Sequence, residues 1–350
     1  MSLTHFHQPE IMIKVGPRLV GPGAPALLVA EIGGNHGGDP LLAGEMVKAA
    51  AEAGAGAVKF QAYQTEHFLS RLSPCYQELA GEELPFPALA RLLGQARRLG
   101  LAAGLTVFDQ AGLHLAREAG ADFIKISSGD LSNHPLLELA AGLDKALFIS
   151  TGASDEAEVE AVLELLAPTR ERLVLMQCAS LYPAPPEAAN LAVIGRWLAR
   201  GLAAGYSDHV SGLRAAQVAA ALGAVVLEKH FTIDRDLPGG DNLISALPEE
   251  LAELSAWIAE AALLRGSGLK SPHPDELLVR PLIRRAWSAA RPLPAGRRLE
   301  KDDLVLLRPP AVCEGPVPAD GPRLPGRVLV RELAEGAPLS WNDLEGGRLG

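Results

Sequence analysis

Cysteine is scarce in this 350-residue chain. Cys75, Cys178 and Cys313 form an odd, widely spaced set with no CxxC pair. That excludes a disulfide framework and points to reduced thiols. No apolar run approaches the roughly 20 residues of a membrane-spanning helix, and residues 1–9 lack the apolar stretch of a signal peptide. A cytoplasmic protein with no membrane partner is therefore expected. Positive charge is not in excess either: the formal net charge is −10, which argues against nucleic acid or an anionic membrane as the main partner. A small anionic substrate would need a local basic pocket, so lysines at unusual positions carry more information than lysines on exposed faces.

With 48% hydrophobic residues, the chain can bury a sizeable core. Its first two-thirds alternate between short apolar runs and longer stretches of helical period. The runs at 27–32, 57–61, 102–108, 123–127, 146–151, 173–178, 204–207 and 225–231 make eight candidate strands. Helical stretches at 40–53, 87–99, 110–119, 136–142, 155–166, 191–199 and 212–222 separate them, and 248–265 follows the last. Nearly all-apolar strands separated by helices imply a parallel sheet covered on both faces. Eight such units, without a Gly-rich dinucleotide turn after the first strand, favour a closed (β/α)8 TIM barrel over an open doubly wound sheet. The barrel is expected over 1–265, followed by a Gly/Pro/Ser-rich linker over 266–280. A small, mostly β domain is expected over 281–350.

The active face of such a barrel lies at the C-terminal ends of its strands. Polar residues gather there: Glu31, Asn35 and His36; Lys59 and Gln61; Thr106; Lys125, Ser127 and Ser128; Ser150 and Thr151; Ser180 and Tyr182; Ser207, Asp208 and His209; Glu228, Lys229 and His230. Lys59 in AVKFQ and Lys125 in FIKISS interrupt apolar runs, where an unpaired ammonium is costly. Two readings follow. The lysines pair with a strand carboxylate such as Glu31 or Glu228, or they form an anion-binding floor with the hydroxyls of Thr106, Ser128, Ser150 and Ser207. His209 and His230 end adjacent strands. They are either satisfied polar residues or a pair able to share one divalent metal.

Seven motifs, in order and at barrel spacing, resemble the sialic acid synthase (N-acetylneuraminate synthase) family. They are AEIGGNHGGD (30–39), VKFQ (58–61), FIKISSGDLSNHPLL (123–137), STG (150–152), QCASLYPAPP (177–186), GYSDH (205–209) and EKHFTIDRDLPGGD (228–241). The tail from LVLLRPP (304–310) to GAPLSWNDLE (336–345) resembles that family's antifreeze-like, or SAF, domain. The resemblance implies condensation of phosphoenolpyruvate with an open-chain amino sugar of the N-acetylmannosamine type, releasing phosphate. It assigns a divalent metal, manganese, to His209 and His230. Phosphoenolpyruvate contacts fall to Lys59, Thr106, Lys125, Ser128, Ser150, Ser180 and Ser207. Sugar contacts fall to Gln61, Tyr182, Asp241 and Glu31, with Glu31 the candidate for proton transfer. It further implies a domain-swapped homodimer in which Arg308 of one subunit's SAF domain reaches the other subunit's barrel.

The chain departs from the family pattern in four places. Val107 stands where Pro is common, Asn242 where many members have His, and Ser180 where some have Asn. RPPAVCEGP (308–316) lacks the usual Gly-rich continuation. Asn242 and the tail fall where the sugar or its lid is expected, so related acceptors of the legionaminic, pseudaminic, 9-phosphorylated or spore-coat type remain alternatives.

Overall fold

A computed structural model describes residues 12 to 348. The segment 1–9, read above for a signal peptide, lies outside the described residues. The described chain falls into two compact units that divide between Gly268 and Leu269.

The first unit opens with an antiparallel hairpin, β1 (Ile13–Val15) and β2 (Arg18–Val20), turned at Gly16 with φ of 57°. Eight parallel strands follow: β3 (Leu27–Glu31), β4 (Ala57–Ala62), β5 (Ala102–Val107), β6 (Phe123–Ile126), β7 (Ala146–Ser150), β8 (Leu173–Cys178), β9 (Ala203–Asp208) and β10 (Val226–His230). β10 pairs with β3, and the sheet closes in chain order. All eight expected strands are present, and the expected (β/α)8 barrel is the fold.

Side chains alternate across each strand, and this period of two sorts the barrel into two layers. One parity faces the helices: Leu28, Val58, Leu105, Ile124, Ile149, Leu175 and Leu227 belong to the outer core. The other parity faces the barrel axis. Deep inside it is apolar, with Val29, Ala57, Phe123, Phe148, Val174, Met176 and Val226. The Phe123 and Phe148 rings stack there at 4.6 Å. Gly104 and Gly205 are the inward residues beside Phe123 and Met176, and a Cβ on either would run into those side chains. Ile13, Val15 and Val20 of the hairpin join the same cluster. The hairpin, which the sequence reading did not anticipate, thus stoppers the N-terminal end of the barrel. At the other end the same inward parity turns polar.

The helices follow the periodic stretches closely, as at Pro40–Glu52, Phe86–Arg98 and Pro248–Arg265. Asp39 and Asp109 cap helices by accepting from Leu41 N and Gly112 N. Two short helices that the sequence reading left out, Thr65–Phe68 and Tyr76–Glu82, stand between β4 and Phe86–Arg98.

The second unit begins with a helix, Pro274–Ile283, in part of the stretch read as linker. It continues with antiparallel strands β11 (Ala286–Ala289) and β12 (Leu304–Leu307) around a core that includes Leu293, Leu299, Leu329, Leu333 and Leu339. Two of its turns repeat one design at a constant offset. Arg291 pairs with buried Asp303, and Arg331 with buried Asp343. Each aspartate also accepts a backbone N–H three residues back, from Glu300 and Ser340.

Candidate active site

The polar end of the barrel holds a cavity of about 190 Å³. The structure brings thirteen of the fourteen sequence-selected residues to its wall: Glu31, Lys59, Gln61, Thr106, Lys125, Ser128, Ser150, Ser180, Tyr182, Ser207, His209, His230 and Asp241. The fourteenth, Arg308, is exposed in the second unit, just after β12. Nine of the thirteen sit on strands or immediately beyond them with inward parity. The others come from the turn after β6 (Ser128) and the loops after β8 (Ser180, Tyr182) and β10 (Asp241).

The floor is a salt network. Lys59 Nζ lies 2.6 Å from Glu31 Oε2 and 3.7 Å from Glu228 Oε1, and donates to Thr106 Oγ1 at 2.6 Å. Lys125 Nζ donates to Glu228 Oε1 at 2.9 Å, and Ser207 Oγ donates to the same oxygen at 3.0 Å. All six residues are buried. The ion-pair reading of the two lysines is therefore realised, and both lysines still line the cavity. Burial raises the Glu31 carboxyl above its ordinary range; the nearby Lys59 ammonium pulls it down, but the Glu228 carboxylate adds to the rise. Burial also works against charge on Glu228 and Lys59. There the opposite charges prevail: Lys125 and Lys59 hold Glu228 down at about 2, and Glu228 and Glu31 keep the Lys59 ammonium charged.

Above the floor stand the imidazoles, with ring centres 5.4 Å apart. His209 Nδ1 donates to Ala179 O at 2.7 Å, which leaves its Nε2 lone pair free. His230 Nδ1 is buried without a hydrogen bond; Asp241 Oδ2 is its nearest carboxylate oxygen, at 3.5 Å. Burial lowers His209 to about 4 and His230 well below the ordinary value, so both are neutral and their lone pairs available at pH 7. This donor set fits a divalent metal with two protein ligands and open positions for substrate. Among the described residues no group of three or more His, Cys, Asp or Glu side chains is arranged to hold one. Tyr182 covers His209, with ring centres 4.0 Å apart. Ser150 Oγ and Glu228 Oε2 are buried without partners, as atoms awaiting a polar ligand are.

Glu228 and Cys178 of the wall stand outside those fourteen. Glu228 is the hub of the floor; its inward position on β10, two residues before His230, was a readable signal. Cys178 lines the wall with its Sγ 3.7 Å from His209 Nδ1, and burial pushes its thiol up, which keeps it protonated. Two of the departures lose their weight. Val107 faces the outer core. The Asn242 side chain turns away from the cavity and donates to Leu237 O at 3.2 Å and Gly239 O at 2.8 Å, bracing its own loop.

Comparison with known proteins decides the family. The NeuB family model matches residues 46–270, and the SAF domain model matches 284–345. The chain belongs to the NeuB family. It is 36% identical over 346 residues to the N,N'-diacetyllegionaminic acid synthase of Legionella pneumophila, covering 93% of this chain and 96% of that one. It is 33% identical over 306 residues to the N-acetylneuraminate-9-phosphate synthase of Mus musculus, covering 83% and 85%. The crystal structure of the N-acetylneuraminic acid synthetase of Leptospira borgpetersenii superposes with a TM-score of 0.74 at 32% identity, covering 77% of this chain and 95% of that one. The protein is thus a NeuB-type synthase whose relatives make related nonulosonic acids. Among the described residues no helix is long and apolar enough to cross a membrane.

Proposed function

We propose that this NeuB-type synthase condenses phosphoenolpyruvate with an open-chain N-acetylmannosamine-type sugar, giving a nonulosonic acid and phosphate. The observation that carries the reading is the convergence, on one cavity, of a lysine floor, the unpartnered Ser150 hydroxyl and a pair of neutral imidazoles. Lys59 and Lys125, with Thr106, Ser128, Ser150, Ser180 and Ser207, hold the phosphate and carboxylate of phosphoenolpyruvate by charge-assisted hydrogen bonds. Gln61, Tyr182 and Asp241 orient the sugar, with Arg308 donating to its acyl carbonyl from the SAF domain of a partner subunit in a domain-swapped homodimer. His209 and His230 hold a divalent metal, manganese, which when bound polarises the aldehyde oxygen.

Carbon three of phosphoenolpyruvate forms the new bond to the aldehyde carbon. Water adds at carbon two, and phosphate leaves with its bridging oxygen. The Glu31 carboxyl, raised by burial and 3.3 Å from Gln61 Nε2, is placed to move the proton at the new hydroxyl.

The cavity wall carries three carboxylates, Glu31, Glu228 and Asp241, against two ammoniums. Both ammoniums are engaged at the floor, which favours an uncharged acceptor over a phosphorylated one. A second reading keeps the chemistry and moves to the diacetylated acceptor of the legionaminic type; the similarity to the Legionella synthase favours it. Phosphate release from phosphoenolpyruvate is the test, run against a panel of N-acyl hexosamines and their terminal phosphate esters, with and without manganese. The reading expects manganese-dependent release with an uncharged sugar. Release with none of them would overturn the reaction; preference for the phosphate esters would overturn the acceptor class.

A further inference from the structure

Asp241 is held by its backbone from three sides. Asn35, buried after β3, accepts from Asp241 N at 2.8 Å through Oδ1. Its Nδ2 donates to Phe231 O at 2.9 Å and to Ser245 Oγ at 2.8 Å. Ser245 Oγ in turn donates to Asp241 O at 2.8 Å. The preceding N–H, of Gly240, donates to Glu82 Oε1 at 2.5 Å. Glu82 ends the helix Tyr76–Glu82, far away in sequence, and its carboxylate is buried in a slot lined by glycines. A Cβ on Gly34 or Gly239 would strike that carboxylate, and a Cβ on Gly240 would lie 2.7 Å from Asn35 Oδ1. Gly239 and Gly240 have φ of 76° and 58°, a bend that glycine adopts without strain.

A buried carboxylate with a backbone donor and no cation is expensive to keep. Burial raises Glu82, and neighbouring Glu78 and Asp241 add to the shift. Its carboxylate meets the loop after β10 at Gly239 and Gly240 and the loop after β3 at Gly34. Neither Glu82 nor Asn35 reaches the cavity wall.

We propose that Asn35 and Glu82 are positioning residues that clamp the Gly240–Asp241 backbone and so fix the Asp241 carboxylate beside His230 for the acceptor sugar. The inference rests on the reading of Asp241 as a sugar contact. The clamp acts on acceptor binding and leaves the phosphoenolpyruvate floor alone, because no member of it touches Lys59, Lys125 or Glu228.

The test combines steady-state kinetics with hydrogen exchange on the full-length protein. Glu82→Ala and Asn35→Ala should each raise the acceptor KM about tenfold, the effect of one lost hydrogen bond. The KM for phosphoenolpyruvate and the bound manganese should stay within about twofold of wild type, which also reports an intact barrel. Glu82→Gln keeps an oxygen for Gly240 N–H and should rescue the acceptor KM. Both residues act through one loop, so the double alanine variant should lose less than the product of the single losses. Amide exchange at Gly240 and Asp241 should accelerate in Glu82→Ala. An unchanged acceptor KM, a Gln variant as poor as Ala, or unchanged exchange at those amides would overturn the clamp. If wild type turns over no sugar, the proposed reaction fails and the exchange measurement alone judges the clamp.

Discussion

Lys59 and Glu31 are register partners on neighbouring strands β4 and β3, and their charged atoms lie 2.6 Å apart. The same ammonium lies 3.7 Å from Glu228, which Lys125 also contacts. The barrel therefore carries two buried ammoniums and two buried carboxylates in one connected set. The network balances its own charge before any anion arrives. An incoming phosphate must compete with Glu31 and Glu228 for the lysines, so each lysine serves both the fold and the ligand.

That double service can be separated by substitution. Lys125→Ala leaves Glu228 short of its nearest cation, and breaking a buried pair typically costs about 3–5 kcal/mol. The double variant Lys125→Met, Glu228→Gln removes both charges, so its melting temperature should recover most of the loss. Its affinity for phosphoenolpyruvate should not recover. The expected deficit is at least about tenfold in Kd by calorimetry, from a charge-assisted bond worth roughly 1.5–3 kcal/mol. Wild-type affinity in the double variant would show that Lys125 is purely structural.

The histidine pair makes a separate claim. His209→Ala and His230→Ala should each lose most phosphate release and lower the manganese found by elemental analysis, with circular dichroism unchanged. Chelation should silence the wild type, and divalent metal should restore it. Full activity in a chelated, metal-free preparation would refute the pair.

In the second unit, acid should find a particular weak point. Asp303 is buried. Desolvation works against its charge, but hydrogen bonds from Arg297, the Glu300 backbone and Arg291 outweigh it and hold the carboxyl below its ordinary value. A depressed folded-state pKa stabilises above the unfolded value, about 3.9, and that contribution is lost as pH falls through the folded one. Asp303→Asn should therefore lower the melting temperature of the SAF unit at pH 7, and the gap to wild type should close below about pH 4. A gap independent of pH would show that shape rather than charge matters there.

Arg308 is tested by mixing. His209→Ala and Arg308→Ala should each be inactive alone. If the arginine acts on the partner subunit's barrel, subunit exchange creates one mouth with both groups intact, and activity should return towards a quarter of wild type, the share of such mouths in an evenly mixed population. No recovery despite proven exchange would place Arg308 in its own subunit's site or outside the chemistry.

Most of the barrel and nearly all of its cavity were legible because both obey a short period. Eight apolar runs gave the strands, and alternate residues such as Lys59, Lys125 and Ser207 had to face the axis once the strands were set. Glu228 obeyed the same rule and was recognised only as a partner, since a carboxylate beside two lysines reads as compensation before it reads as a hub. Asn35 and Glu82 were a different matter. Asn35 was noted as polar, but its partners lie across 206 positions, and the Glu82 bond to Gly240 spans 158. No local pattern encodes such a bond. The hairpin Ile13–Val20 was missed because three-residue strands are too short to show alternation. Asn242 looked like a substitution in the sugar site, and its side chain proves to brace a loop.

The stopper that Ile13, Val15 and Val20 form has a consequence for traffic. A vessel closed at its base has a single doorway, and whatever lies deepest must enter first. Lys59 and Glu228 sit two residues nearer the stopper than Gln61 and His230 on the same strands. On the proposed chemistry, phosphoenolpyruvate therefore loads ahead of the sugar, and a sugar that arrives early bars the way behind it. Excess acceptor should then slow the enzyme at low phosphoenolpyruvate, and saturating phosphoenolpyruvate should lift the blockade by capturing the enzyme whenever the doorway clears.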